Sequence, residues 1–393
     1  MMVLAALYWS CPQPGSTALG SRLPGVVIVH TPAKTGRYIG SPSLVILQDG
    51  TYVAAHDFFG PGKGVGQTEV YQSRDQGATW SRTSVVDPLC WASLFEHRGD
   101  LYLMGTTGDM ADLVIHRSRD GGKTWTTPRD AQNGLLLSDG KYHCAPVPLV
   151  VADGRIWRAA EEFMGRDKRR RVFRAFLMSA PLDADLLSAS SWTCTNRLDA
   201  DFSWLGGGFG SWLEGNVVCQ PDGTLANILR TNTRPGFKVD KRFGEEKVAI
   251  ATLDRGGQVL SFDPVLGFVD FPGGGKKFTI RFDPKTLLYW TLANQVLPGS
   301  GTDNPERVRN TLALVSSPDL RHWTTRSIVL HHPDTEYHAF QYVDWRFDGD
   351  DIVFVSRTAF DDGEGGAKRQ HDANYLTFHR VRDYGKLRSS SVR

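Results

Sequence analysis

Few features in this sequence point to a disulfide-bonded, metal-binding or membrane protein. Its five cysteines include no CxxC pair, and no histidine stands at the spacing of zinc ligands. The apolar start, residues 1–9, is much shorter than a membrane span and lacks a basic leader. Because a chain of 393 residues can build a large core, we expect isolated buried thiols, no metal, no cofactor and no membrane partner.

Charge of one sign is also scarce. The 45 lysines and arginines nearly balance the 43 acidic residues. The one basic run, residues 166–171, is interrupted by Asp167, so we interpret it as a solvated loop rather than a polyanion-binding patch. The sequence therefore predicts no nucleic-acid partner.

What the sequence does contain is glycine, proline and repeated turn motifs. It has 41 glycines, 20 prolines and 11% aromatic residues, which is typical of many short strands joined by turns. The octapeptide Ser73–Trp80 recurs almost intact as Ser118–Trp125 and, decayed, as Ser316–Trp323. In this pattern the aspartate caps a tight turn, the glycine takes a positive φ and the tryptophan packs back on the sheet. The motif resembles the Asp box of sialidase-like β-propellers.

A second repeat, a strand–Asp-Gly–strand unit, indicates a series of hairpins. Its turns lie at 49–50, 153–154, 222–223 and 348–349. Repeats of this kind are typical of four-stranded propeller blades around a channel. We therefore predict an all-β fold, a single β-propeller of four-stranded blades over 25–385, with an N-terminal extension at 1–24 and a C-terminal tail at 386–393.

The repeats also predict how the ring is built and closed. We expect the strand Val26–His30 to pair with the last strand, around Tyr375–His379, and so to close the ring. Six inner strands are predicted to begin near Ser43, Trp91, Pro146, Gly215, Lys277 and Phe340.

Propeller geometry predicts which polar residues face a substrate. The start of each inner strand and the end of each second strand should lie on one face, near the central pocket, and the Asp-Gly turns on the other. Histidine, tyrosine and arginine converge at these positions, so we predict an active site there. The candidate catalytic residues are His56, Tyr142, His143 and Arg158, and the candidate substrate-binding residues are Arg230, Trp212, Lys276, His338, Gln341 and Arg357.

Each candidate also has a purely structural interpretation. His56 is compatible with a core histidine that hydrogen-bonds the first blade. Tyr142 and His143 are compatible with residues that orient the following loop. Arg158 is close in sequence to Glu161 and Glu162, so a structural ion pair stays open for it.

Longer segments resemble the propeller enzymes that act on L-rhamnose-α-1,4-D-glucuronate. The similar segments are 38–43, 49–61, 141–148, 212–218, 271–281, 340–345 and 371–379. The resemblance implies a carbohydrate-active enzyme that removes rhamnose caps from arabinogalactan such as gum arabic, with ulvan lyases as more distant relatives. It also implies seven blades rather than six, and a catalytic histidine that we match to His56. Some lyases of this group use two histidines, and we assign His143 to the second role.

The resemblance covers both lyases and α-L-rhamnosidases. Because the candidate face is richer in histidine, tyrosine and arginine than in acidic residues, we expect β-elimination at the glucuronate, the reaction of a polysaccharide lyase. We expect Arg158, helped by Arg230, to hold the carboxylate, and His56 to abstract the C5 proton. Tyr142 or His143 is expected to protonate the departing rhamnose oxygen. The expected partner is a polysaccharide or oligosaccharide and the expected state a monomer. The substrate class favours a secreted or periplasmic location, without a convincing signal peptide in this sequence.

Three other functions stay open on the sequence alone. An α-L-rhamnosidase that hydrolyses the same linkage would use two carboxylates, for which Asp57 and Glu214 are the obvious pair. A sialidase would need an arginine triad, a nucleophilic tyrosine with its glutamate, and an acid aspartate. Arg158, Arg230 and Arg357 are candidates for that triad. A non-catalytic propeller that binds a glycan or a protein is the third alternative, because fold does not fix function.

Overall fold

The computed structural model describes residues 22–64, 66–167, 170–233, 246–300 and 304–387. Within these ranges the chain forms an all-β propeller of short antiparallel strands. No helix in the described part of the chain is long and apolar enough to cross a membrane. The 3-10 helices are Ala33–Thr35, Ala189–Ser191, Trp204–Gly207, Pro305–Arg307 and Tyr384–Lys386. Most of the predicted N-terminal extension and C-terminal tail lies outside the described residues.

The first half of the chain builds three blades, after a strand β1 (Val26–His30) that belongs to the last blade. Blade 1 contains β2 (Tyr38–Ile39), β3 (Ser43–Ile46), β4 (Tyr52–Phe59), β5 (Thr68–Ser73) and β6 (Ser81–Val86). Blade 2 contains β7 (Cys90–His97), β8 (Asp100–Thr106), β9 (Ala111–Ser118) and the start of β10 (Leu135–His143). Blade 3 contains the end of β10, β11 (Val150–Ala152), β12 (Arg155–Asp167), β13 (Arg170–Pro181) and β14 (Thr193–Cys194).

The second half builds three more blades. Blade 4 contains β15 (Phe209–Cys219), β16 (Leu225–Thr233), β17 (Lys247–Leu253), β18 (Leu260–Ser261) and β19 (Phe268–Asp270). Blade 5 contains β20 (Ile280–Asp283), β21 (Leu288–Ala293), β22 (Thr311–Ser317) and β23 (Thr324–His331). Blade 6 contains β24 (Ala339–Asp348), β25 (Asp351–Ala359), β26 (Tyr375–Val381) and β1.

The described residues thus form six blades, the number counted from the sequence, and not the seven implied by the resemblance. The long β10 pairs with β9 from Leu135 to Tyr142 and with β12 at its end, so it leads directly from blade 2 into blade 3. Every described strand belongs to one of these blades. The ring closes as predicted, since β1 pairs with β26 from Val26 opposite Phe378 to His30 opposite Tyr375.

The turn motifs have the geometry that their sequences predict. At the first Asp-Gly hairpin Gly50 adopts a φ of 83°, and the Asp49 carboxylate accepts the Thr51 amide at 2.9 Å. In the first Asp box Gly77 adopts a φ of 91°, and its carbonyl accepts the Trp80 indole N–H at 3.1 Å. Because these contacts join residues close in sequence, the local sequence determines the conformation of each turn, whatever its position in the ring.

Buried polar side chains join neighbouring blades around the channel. The inner strand of each blade is a sheet edge, and its buried N–H groups need acceptors from outside its own sheet. Asp344 on β24 accepts the Leu44 amide of β3 at 2.8 Å, and its other oxygen pairs with Arg281 at 3.0 Å. In the same way Asn216 on β15 accepts the Ile280 amide of β20 at 3.0 Å. Polar groups near the axis therefore hold the ring together.

Replacing Asp344 by alanine should lower the free energy of unfolding by about 3 kcal/mol, because the largely buried Arg281 loses its carboxylate. Urea denaturation measures the change. The control is Asp222→Ala in an exposed Asp-Gly turn, where the aspartate bonds only the neighbouring Thr224; we expect a loss of about 1 kcal/mol or less there. Equal losses in the two variants would contradict the role of Asp344 as a link between blades.

Candidate active site

Three inner strands carry the same backbone irregularity. The register of β7, β15 and β24 shifts at a bulge, and inside each bulge one residue with a side chain has a positive φ. These residues are Trp91 at 53°, Glu214 at 56° and Tyr342 at 54°. The conformation costs roughly 1–2 kcal/mol for an L-residue, and such strain concentrates at functional sites. Trp91 and Tyr342 are partly exposed, so the bulges of blades 2, 4 and 6 mark a candidate site.

Tyr342 lies among three arginines. Its hydroxyl is 3.3 Å from Nη1 of Arg230, and the guanidinium carbons of Arg357 and Arg309 lie 4.6 and 5.6 Å from the centre of its ring. All three arginines are buried. Among the described residues, Nε of Arg357 has no hydrogen-bond partner, and neither Arg309 nor Arg357 forms a salt bridge. Buried cationic donors of this kind can bind a carboxylate.

Glu214 is the carboxylate at the centre of this cluster. Its Oε2 accepts from Arg230 Nη1 at 2.9 Å, the same nitrogen that contacts Tyr342. Burial acts to raise the pKa of Glu214, but Arg230 and, less strongly, His143 hold it below its usual value. Glu214 is therefore ionised, and Arg230 links it to the tyrosine.

A histidine–glutamate pair lies beside Glu214. Nδ1 of His143 is 2.9 Å from Oε2 of Glu161, whose other oxygen accepts the Gly215 amide at 3.0 Å. The imidazole packs against Trp91 with 4.7 Å between ring centroids. With Nδ1 donating to Glu161, Nε2 is the nitrogen available to a substrate, and the glutamate fixes the orientation of the ring.

Asp57 borders the same cluster, but its carboxylate accepts hydrogen bonds from backbone amides. Its Oδ2 accepts the Trp91 amide at 3.0 Å and its Oδ1 accepts the Ser41 amide at 2.5 Å. Burial raises the pKa of Asp57 to about 6, although both amides and Arg357 act to lower it. Asp57 thus joins blades 1 and 2 and holds Trp91 in its strained conformation.

His56, the predicted base, does not reach this site. It is completely buried, its Nδ1 lies 2.9 Å from the Asp57 carbonyl, and its ring packs against Phe58 and Tyr71. Burial lowers its pKa. His56 thus faces away from the cluster, because adjacent strand residues face opposite sides and it is Asp57 that borders it. The catalytic role of His56 stays a prediction.

Tyr142 and Arg158 are also structural. The Tyr142 hydroxyl bonds Asp139 at 2.5 Å and its ring packs on Phe176, so it faces away from its neighbour His143. Arg158 is completely buried and donates to three backbone carbonyls, at 3.0–3.2 Å. Both side chains thus have partners within the framework, and their roles in catalysis stay predictions.

Some of the predicted substrate-binding residues lie in or next to the cluster, and others are buried in the framework. Arg230 and Arg357 lie in the site, and Gln341 lies behind it, where its side-chain oxygen accepts from Arg309 and positions it. Trp212 is completely buried and donates to a backbone carbonyl at 3.0 Å, and its contact with substrate stays a prediction.

Two further predicted binding residues have partners of their own. Lys276 is buried, pairs with Glu246 and donates to the Pro305 carbonyl at 2.8 Å, so it is not available to a sugar. His338 is buried against His332 and Asp334.

Sequence analysis missed Tyr342, Arg309 and the role of Trp91. Tyr342 follows Gln341, and regular alternation would turn it away from the side that Gln341 faces. The bulge in β24 removes that alternation. Arg309 precedes a third strand, whereas the propeller geometry places only the starts of inner strands and the ends of second strands at the pocket. The tyrosine, glutamate and arginine set expected of a sialidase is the signal that could have found them.

Known proteins resemble this chain in structure and not in sequence. No family model and no curated protein matches it. A Hadza microbial sialidase superposes with a TM-score of 0.60 at 14% identity, over 91% of this chain and 68% of its own. A Penicillium chrysogenum α-L-arabinanase complexed with arabinobiose gives 0.53 at 15% identity, over 93% and 99%. A leech intramolecular trans-sialidase gives 0.53 at 11% identity, over 93% and 71%.

These similarities show the fold. It is the antiparallel four-stranded propeller of sialidases and arabinanases, a fold found among carbohydrate-active enzymes. They single out no specific family, and the resemblance to rhamnose–glucuronate enzymes stays a prediction.

The raised pKa of Asp57 predicts how stability depends on pH. The folded protein binds this proton more tightly than the unfolded chain does, since the pKa rises from 3.8 to about 6. The Asp57 contribution to stability should therefore fall as pH rises from about 4 to 6 and be constant above that window. Urea denaturation of wild type and Asp57→Asn at several pH values measures the difference. Parallel curves across that window would contradict the prediction.

Proposed function

We propose that this protein is a retaining glycosidase that releases a terminal sugar carrying a carboxylate, with Tyr342 as the nucleophile. The observation that carries the proposal is the partly exposed Tyr342, whose hydroxyl contacts Arg230 at 3.3 Å while Arg309 and Arg357 flank its ring. The fold shared with sialidases and arabinanases supports a carbohydrate substrate.

The arrangement of charges favours a particular kind of sugar. Arg309 and Arg357 supply the donors for the substrate carboxylate. A neutral phenol suits such a substrate, because a carboxylate nucleophile would be repelled by the carboxylate of the sugar. Tyrosine is the nucleophile of sialidases, an exception among glycosidases. We therefore place the substrate in the sialic-acid class, with the carboxylate on the anomeric carbon.

Each residue then has one step in the reaction. The Tyr342 oxygen bonds to the anomeric carbon while the glycosidic bond breaks, and Glu214 accepts the phenol proton. His143, oriented by Glu161, donates a proton to the departing oxygen. A water molecule then displaces Tyr342 from the anomeric carbon, His143 accepts the proton of that water, and Glu214 returns its proton to the phenol oxygen.

Removing the phenol oxygen tests the nucleophile. Tyr342→Phe should reduce hydrolysis of an aryl glycoside of N-acetylneuraminic acid at least about 10³-fold, since loss of a nucleophile costs on the order of 10⁶ in other hydrolases. The matched control is Tyr142→Phe, which removes a hydroxyl bonded to Asp139 away from the site and should leave kcat nearly unchanged.

A covalent trap provides a second readout. A 2,3-difluoro sialic acid should form an adduct that peptide mass spectrometry locates on Tyr342. No hydrolysis of any sialoside, or full activity in Tyr342→Phe, would rule out the proposal.

The His143–Glu161 pair favours one second candidate, β-elimination at a glucuronate. Arg230, Arg309 and Arg357 would offset the charge of the uronate carboxylate, and His143 would abstract the C5 proton in place of His56. This candidate keeps the reaction implied by the resemblance to rhamnose–glucuronate enzymes and assigns it to other residues. Hydrolysis of the same linkage would release rhamnose as well, but would leave the uronate saturated.

One incubation separates these reactions. Gum arabic is treated with enzyme, and both free rhamnose and the ultraviolet absorbance of an unsaturated uronate are measured. Unsaturated product that disappears in His143→Ala supports the lyase, whereas rhamnose with saturated uronate supports the rhamnosidase. His97→Ala is the control, because His97 bonds the Leu182 carbonyl at 2.8 Å outside the site, and it should keep full activity. If neither product forms, the rhamnose–glucuronate substrate is excluded.

A further inference from the structure

A group of ligating side chains lies outside the proposed chemistry, in the loop before β24. His332, Asp334 and His338 each offer one ligand atom, and these atoms all lie within 4.8 Å of one another. Asp361, in the loop after β25, approaches from the other side, with its Oδ2 3.5 Å from Nε2 of His338. Two loops that are distant in sequence thus bring two imidazoles and two carboxylates together.

His338 has the environment of a metal-binding histidine. Its ring is only 6% exposed, and its Nδ1 lies 2.6 Å from Oδ2 of Asp334. Its Nε2 is buried without a hydrogen-bond partner among the described residues. A histidine that donates one nitrogen to a carboxylate directs the lone pair of the other nitrogen outward, as metal-ligating histidines do.

His332 and Asp361 are placed to complete the set. The His332 ring stacks on His338 with 3.5 Å between centroids and 15° between planes. Nδ1 of His332 accepts the Asp334 amide at 3.1 Å, and stacked rings do not direct both lone pairs at one point. A shared ion therefore requires His332, the more exposed ring, to tilt out of the stack and to exchange this hydrogen bond for the metal. The Asp361 side chain is 74% exposed and can approach the ion at little cost.

We propose that His332, His338 and Asp361 bind one divalent transition-metal ion, with Asp334 as the carboxylate that orients His338. Zinc takes imidazole nitrogen and carboxylate oxygen together, at about 2.0–2.2 Å. Calcium and magnesium prefer oxygen ligands alone, so mixed nitrogen and oxygen ligands point to zinc. The ion would join the loop entering β24 to the loop leaving β25, the strands that carry Tyr342 and Arg357. The metal site does not depend on the proposed function.

Zinc titration of the full chain, after dialysis against a chelator, tests the site. Isothermal calorimetry and elemental analysis should show one zinc per chain and no comparable binding of calcium. Asp361→Asn changes an exposed side chain and should weaken zinc binding at least about tenfold, whereas His338→Gln should abolish it. Circular dichroism shows whether each variant is folded.

The matched control is His322→Gln. His322 forms an exposed pair with Asp319, also at 2.6 Å, without the other ligands. This variant should bind zinc like wild type, and zinc should raise the melting temperature of both but not that of His338→Gln. An absence of zinc binding, equal affinity for calcium, or binding unchanged in Asp361→Asn and His338→Gln would overturn the proposal.

Discussion

The six blades of the described residues turn their inner edges toward one axis and must satisfy the backbone N–H groups left unpaired there. This chain does so with side-chain acceptors that reach across blade boundaries: Asp57 to Trp91, Glu161 to Gly215, Asn216 to Ile280 and Asp344 to Leu44. Carboxylates buried in this way need cations, and Arg281 supplies one for Asp344. The buried charges inside the ring are therefore explained by ring closure alone, whether or not they also serve a functional site.

The candidate site lies where the side chains that join the blades adjoin the bulges of the inner strands. Trp91, Glu214 and Tyr342 are each held at positive φ, and strain of that size persists only where surrounding contacts fix the conformation. The Trp91 amide is held by Asp57, and the Glu214 carboxylate is held by Arg230. Asp57, which joins blades 1 and 2, therefore also fixes the conformation in which the Trp91 ring is partly exposed.

The fold was predictable from sequence and most of the site was not, for one physical reason. An Asp-Gly hairpin or an Asp box depends on contacts within a few residues, as between Asp49 and Thr51, so a local motif predicts it. Which of two neighbouring polar residues faces the pocket depends on strand register and bulges. Sequence analysis accordingly named the segments that border the cluster but, in the pair at 56 and 57, chose His56, whereas it is Asp57 that borders it. No sequence pattern marks a non-glycine residue such as Tyr342 for positive φ.

An anionic substrate is supported less by the number of arginines than by the partners they have. Arg230 has Glu214 as a partner, whereas among the described residues Arg309 and Arg357 donate only to carbonyl oxygens. Burial lowers the pKa of Arg357 to about 10 and that of Arg309 below its usual value, although nearby acidic groups act to raise both. A buried cation without a carboxylate is costly. Because a substrate carboxylate would supply the missing charge, binding should draw on interactions that the protein itself leaves incomplete.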